Sequence, residues 1–174
     1  MKIGKIITFL LLSCMFITSL ALGQGRNESA NVKITLVKAL QISEIQGDLD
    51  FGELLQTGAS ATVERTPDQG ILFSVNGSPG KNVVVDYQNT LLNNTSDTPE
   101  NPSNSTIEFV PQINTTYSDI NYSNAEPVSN GGSYELENKD GDGVLYLWVG
   151  GAMDIDSELS HGDYSGEFSV SVSY

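Results

Sequence analysis

Cysteine and histidine are nearly missing from this chain: Cys14 and His161 are the only ones. One cysteine cannot close an internal disulfide or build a thiolate zinc site. One histidine excludes a histidine-rich metal centre. Positive charge is also scarce, with eight Lys and Arg against 22 Asp and Glu and a formal charge of −14. Phosphate backbones and anionic surfaces are bound by clustered cations, so no nucleic-acid partner is expected. Helical periodicity is lacking as well: beyond residue 30 no stretch repeats apolar residues every three to four positions.

What is present begins with a leader. Lys2 and Lys5 precede an apolar run from Ile6 to about Leu22, and Ala21-Leu22-Gly23 supplies small residues before Gln24. Those are the three parts of a secretory signal, so residues 1–23 are expected to be cleaved. Thr8, Ser13, Cys14, Thr18 and Ser19 interrupt the run, which argues against a permanent anchor, so no stable membrane insertion is expected after processing. Leu11-Leu12-Ser13-Cys14 loosely resembles a lipidation motif, but Leu12 is large and the apolar run continues past Cys14. The expected location is the periplasm, the outer surface or the extracellular space. A short polar tail, 24–30, then leads into a single domain, 31–174, the size of one ordinary core. Losing Lys2 and Lys5 leaves it still more acidic, which suits solubility.

The dominant period in that domain is two. Val32, Ile34, Leu36, Leu40 and Ile42 share one parity, with Lys38 as a single defect, predicting a strand over 31–42 with a bulge or break near Lys38. Further strands are expected over 48–54, 61–66, 71–76 and 83–87. Asn76-Gly77-Ser78-Pro79-Gly80 supplies a turn that reads as joining the last two in a hairpin. From about 89 to 132 the chain is rich in Asn, Ser, Thr and Pro; only 106–113 looks strand-like there, and the rest is expected to be surface loops. Residues 134–137 and 144–149 follow, the latter apolar on both faces as in a central strand, with Trp148 expected in the core. Gly150-Gly151 predicts a kink or a close approach. At the end, Phe168, Val170, Val172 and Tyr174 alternate with Glu167, Ser169, Ser171 and Ser173. Many short strands between frequent turns predict an all-β, antiparallel β-sandwich.

Four motifs carry a resemblance: Leu49-Asp50-Phe51-Gly52, Gly77-Ser78-Pro79-Gly80, Val149-Gly150-Gly151, and the stretch from Gly162 through Tyr164, Gly166 and Phe168 to Tyr174. Together they resemble the bacterial family called domain of unknown function 4402, over about residues 30–174 apart from the Asn/Ser/Thr-rich middle. That family is similar to spore coat U-type and fimbrial subunits, which implies an immunoglobulin-like or pilin-like sandwich. It also implies a secreted surface protein, structural or adhesive, whose partners are itself or other surface subunits. Gly162 and Tyr174 stand near the spacing of a pilin's last strand, but Tyr174 is the final residue rather than the penultimate one. The tail 24–30 is too polar and short to be a pilin's donated extension. Strand association would therefore use Val32, Ile34, Leu36 and Leu40 at one end and Phe168, Val170, Val172 and Tyr174 at the other.

Other constellations have plainer readings. Asp140-Gly141-Asp142-Gly143 offers two weak metal candidates, Asp140 and Asp142, but Val149 stands where a calcium loop needs Glu, and Asp-Gly is itself a hairpin signal. Asp154, Asp156 and Glu158 read as a solvated strand end. His161 lacks a Gly-x-Ser-x-Gly partner motif and reads as part of a turn, so neither a catalytic residue nor a cofactor is expected. Asn94, Asn104, Asn114 and Asn121 open Asn-x-Ser/Thr triplets, which arise by chance in such a composition. Two alternatives stand beside the surface subunit: a secreted module binding glycans or proteins through the 89–132 loops, and a carboxylate-based hydrolase, for which Trp148, Tyr117, Tyr122 and Tyr134 could stack on a sugar face.

Overall fold

The computed structural model describes residues 33–96 and 104–174; the leader, the polar tail and Val32 lie outside them. The chain divides into Met1–Thr35 and Leu36–Tyr174, and the fold belongs to the second unit. Its strands are β1 (Gln41–Gln46), β2 (Ala61–Arg65), β3 (Ile71–Gly77), β4 (Asn82–Tyr87), β5 (Thr90–Asn94), β6 (Thr106–Thr116), β7 (Glu126–Pro127), β8 (Gly132–Glu135), β9 (Glu137–Lys139), β10 (Asp142–Ile155), β11 (Tyr164–Ser165) and β12 (Val170–Ser173). They form an antiparallel β-sandwich of unequal layers. The large sheet runs β1-β3-β10-β6-β5-β11, with β2, β7 and β9 beside its long strands, and the small sheet runs β12-β4-β8.

β10 organises the large sheet. On one side it pairs first with β3 and then with β2. On the other it pairs first with β9 and then with β6. Leu145, Leu147 and Val149 are fully buried against Val75, Val83, Val85, Ile113 and Leu136, in the core between the sheets. Val144, Tyr146 and Trp148 point the opposite way and form a second cluster with Leu72. Tyr122, from the loop after β6, packs edge-on against Trp148 at 5.4 Å, so the outer face of the strand is covered too. Both faces of 144–149 are thus apolar as their composition requires, and Trp148 is buried, on the outer face rather than between the sheets. The strand continues through Gly150-Gly151, where a close approach explains both glycines. A Cβ on Gly151 would strike the Phe109 ring and the Val110 carbonyl, and one on Gly150 would strike the Arg65 and Thr66 backbone.

β6 shows the clean alternation of a two-layer strand, with Ile107, Phe109 and Ile113 inward and Glu108, Val110 and Gln112 outward. Pro111 falls on the outer edge of β6 between the stretches that β5 and β7 pair, where a missing N–H is tolerated. Thr115, fully buried, donates its hydroxyl to the Tyr146 carbonyl at 2.9 Å. Among the described residues no buried side-chain nitrogen or oxygen lacks a hydrogen-bond partner.

Several local expectations differ from the fold. The ladder of the first strand begins at Gln41, opposite Asn76, rather than at residue 31. β3 ends at Gly77, so residues 33–40 run past the end of that partner and join no ladder among the described residues. Residues 48–54 form no strand, because Asp48 and Asp50 turn the backbone by accepting from the N–H groups of Asp50 and Gly52. The turn at 78–81 carries the chain from the large sheet to the small one, so β3 and β4 are not a hairpin. Likewise β8 pairs with β4, the chain changes sheets at fully buried Leu136, and the hairpin is β9–β10. Its two-residue turn, Asp140-Gly141, has φ of 55° and 89°, as a type I′ turn demands. The strand expected over 106–113 is present as β6 and runs on to Thr116, while the parts of that region read as loops hold β5, which its adjacent Leu91-Leu92 concealed, and the short β7. The last ladder is shorter than 168–174, covering Val170–Ser173 alone.

Gly151→Ala is expected to destabilise the fold by about 1–3 kcal/mol, since Phe109 can yield only by disturbing the core; a urea titration followed by Trp148 fluorescence measures it.

Candidate functional site

Two places gather the residues singled out from the sequence, and they lie at opposite ends of β10. The first is a clasp that joins Lys38, Ser78, Asp142 and Tyr174. The Tyr174 hydroxyl donates to the Lys38 carbonyl at 2.9 Å and accepts from the Ser78 N–H at 2.8 Å. The Lys38 N–H donates to Ser78 Oγ at 2.6 Å, and its ammonium donates to the Gly141 carbonyl at 2.8 Å and pairs with Asp142. Lys38 is therefore no defect in a strand. It roots the N-terminal segment on the body, tying together the β3–β4 turn, the β9–β10 turn and the last residue. Asp140 and Asp142, the weak metal candidates, belong to that turn, and Asp142 is committed to Lys38. Among the described residues no group of three or more His, Cys, Asp or Glu is placed to hold a metal ion.

Around the clasp the proposed association residues separate. Leu40, Val170 and Val172 pack against the inner core, as does Phe168 farther along. Ile34 and Leu36 instead stand 79% and 86% exposed, and residues 33–40 carry no ladder hydrogen bonds. β1 pairs only with β3 and β12 only with β4, so each terminal strand leaves one edge open among the described strands.

The second place is a cavity of about 1070 Å³ at the Ile155 end of β10. It exists because the sheets differ in extent. β4, β8 and β12 cover the first half of the inner face of β10; beyond Val149 they contribute nothing to the packing. There Leu92, Ile107, Phe109, Met153 and Ile155 form an apolar floor, roofed by the 49–57 loop and walled by 159–168. Phe109 meets Phe51 edge-on at 6.0 Å and Phe168 at 5.9 Å. Gln56 ties the loop down by donating to the carbonyls of Asp156 and Ser157 at 3.1 and 2.9 Å. The Tyr164 hydroxyl donates to the Ser160 carbonyl at 2.7 Å, and Gly162, at φ 139°, lies against the Asn94 and Ser96 side chains.

The first and last of the four sequence motifs thus converge on one cavity. Leu49, Asp50, Phe51 and Gly52 come from one side, and Gly162, Tyr164 and Gly166 from the other. Gly150 and Gly151 do not line it, but Gly151 lies against the ring of Phe109, which does. Among the described residues Asp50, Glu53 and Asp163 line the cavity and no Lys or Arg does. His161 is also in the lining, its carbonyl accepting from the Asn94 amide at 3.0 Å.

The Asn-x-Ser/Thr asparagines have structural partners. Asn94 and Asn104 donate to the carbonyls of His161 and Glu158, Asn114 donates to the Tyr122 hydroxyl, and Asn121 caps the short turn at Ser123. Of the aromatics considered for stacking, Tyr122 covers Trp148, Tyr134 accepts from the Ser129 N–H, and Tyr117 bonds Glu126. The cavity itself had no sequence signature, because its floor residues belong to three strands and become neighbours only through pairing.

No protein-family model and no curated protein matches the chain.

Tyr174→Phe is expected to cost about 1 kcal/mol, the net value of such a hydrogen bond, and to speed hydrogen exchange at residues 38–41; urea unfolding and exchange mass spectrometry check both. A pH effect follows from the tyrosines. Burial pushes Tyr87, Tyr117 and Tyr122 above their ordinary value of 10.0, aided by Tyr134, Glu126 and Asp68 respectively. The folded state holds these protons more tightly than the unfolded chain. Their contribution is therefore full below pH 10 and lost as the pH rises through the raised values. Urea stability should therefore fall as the pH rises above 10, and Phe at any of the three positions should lessen that fall, as urea titrations across that range would show.

Proposed function

We propose that this chain is a secreted, non-enzymatic surface subunit, structural or adhesive, that associates with copies of itself or with other subunits through its terminal strands. The observation that carries the reading is the segment before Gln41. It keeps a strand's alternation of apolar residues, yet Leu36 is 86% exposed and no strand among the described residues pairs with it. An extended segment with unsatisfied backbone groups and an apolar stripe is what strand addition uses. The open outer edges of β1 and β12 are chemically suited to receive such a strand. The likeness to the domain of unknown function 4402 family and its fimbrial relatives points the same way, as does the expected leader. No helix among the described residues is long and apolar enough to cross a membrane.

The loop-borne binding module has less to support it. Residues 89–132 include β6, a central partner of β10, and the Tyr122 loop that covers Trp148, so much of the segment serves the core.

The test is self-association. The protein should show a concentration-dependent increase in mass by sedimentation, and Leu36→Asp combined with Ile34→Asp should shift the equilibrium toward monomer at least tenfold without changing the circular dichroism. A protein monomeric at high concentration would sink the proposal.

A further inference from the structure

Building on that association, we infer that the cavity at the Ile155 end of β10 is the acceptor for residues 33–37 of a second copy. Four observations lead there.

The first is charge. Arg26, Lys33 and Lys38 face a single acid, Glu28, between residues 24 and 40, in a chain where acids outnumber bases almost threefold. The cavity lining has the opposite character, with Asp50, Glu53 and Asp163 and, among the described residues, no Lys or Arg. The most basic stretch of the mature chain thus complements an acid-lined pocket, and like charge elsewhere on the surface disfavours competing contacts.

The second is size and lining. A volume of about 1070 Å³ is at the upper end of small-molecule sites, which run from roughly 300 to 1,000 Å³, and suits a short peptide segment. Its floor is apolar, matching the Ile34, Leu36 and Val37 side chains that the donor leaves exposed.

The third is the open edge. Ala61 and Val63 line the cavity and belong to β2, which pairs only with β10. An incoming extended segment can therefore hydrogen-bond to β2 as an added strand while its side chains enter the cavity.

The fourth makes the occupant a second copy. The donor segment is rooted at Lys38, which is bonded to Asp142 at the start of β10, whereas the cavity is at the Ile155 end. At about 3.3 Å per residue those ends are on the order of 40 Å apart. Five extended residues reach no more than about 18 Å. A chain cannot fill its own cavity, and donor and acceptor occupy opposite ends of one subunit. Such a contact is heterologous and repeats head to tail, giving an open chain of subunits rather than a closed dimer.

Disulfide trapping tests this, since Cys14→Ser leaves the full chain free of cysteine. Leu36, Leu55 and Leu91 are all well exposed, at 86%, 90% and 59%, so cysteine at any of them spares the core. Leu55 lines the cavity and Leu91 does not. Under mild oxidation, Leu36→Cys protein mixed with Leu55→Cys protein should form mixed dimers at least tenfold faster than with Leu91→Cys protein. Glu53→Lys with Asp163→Lys on the acceptor should slow that trapping, and Lys33→Glu on the donor should restore it. Equal rates at positions 55 and 91, or trapping of Leu36→Cys only with itself, would overturn the cavity as acceptor. If association still depends on Leu36 in that case, the strand-mediated reading survives and the acceptor is an open sheet edge. If association is absent altogether, both fall.

Discussion

Burial of β10 on both faces is the constraint on which the rest of the molecule hangs. Each of Leu145, Leu147 and Val149 is worth about 1.5–3 kcal/mol when fully removed from water, several times the net value of any single hydrogen bond in the sheet. Satisfying both faces demands a second layer inside and a cover outside. The small sheet supplies the first and the Tyr122 loop the second. Fourteen residues of strand also need more partners than one neighbour can offer, and so four strands share its two edges.

The unequal length of the layers is the source of the cavity. Where the small sheet stops, the inner face of β10 and β6 is still apolar, and a loop and a wall segment roof it without filling it. Close-packed interiors tolerate few voids larger than a water molecule, and this space accordingly opens where the second layer ends rather than inside the packed core. The clasp at the other end does the complementary thing. It fixes where the N-terminal segment leaves the body while leaving the apolar residues before Lys38 unpaired. Under the association proposed above, donor and acceptor lie on one chain, separated by the length of its longest strand.

What the amino-acid order determined by itself was the class. Two-residue alternation at β3, β4, β6 and β12, and the doubly apolar run at 144–149, mark an all-β sandwich because local side-chain direction in a strand has only two values. The Asp140-Gly141 turn was equally legible, since few residues accept positive φ. Sheet membership was not. Whether the turn at 78–81 returns the chain beside β3 or across to the other sheet depends on which strands compete for β3, and β10 and β1 win both of its edges. The start of β1 was likewise decided by where β3 ends, not by the alternation that runs on past it. The cavity, too, exists only in three dimensions: Leu49, Phe109, Met153 and Tyr164 are far apart in the chain, and pairing across four strands and two loops is what makes them neighbours.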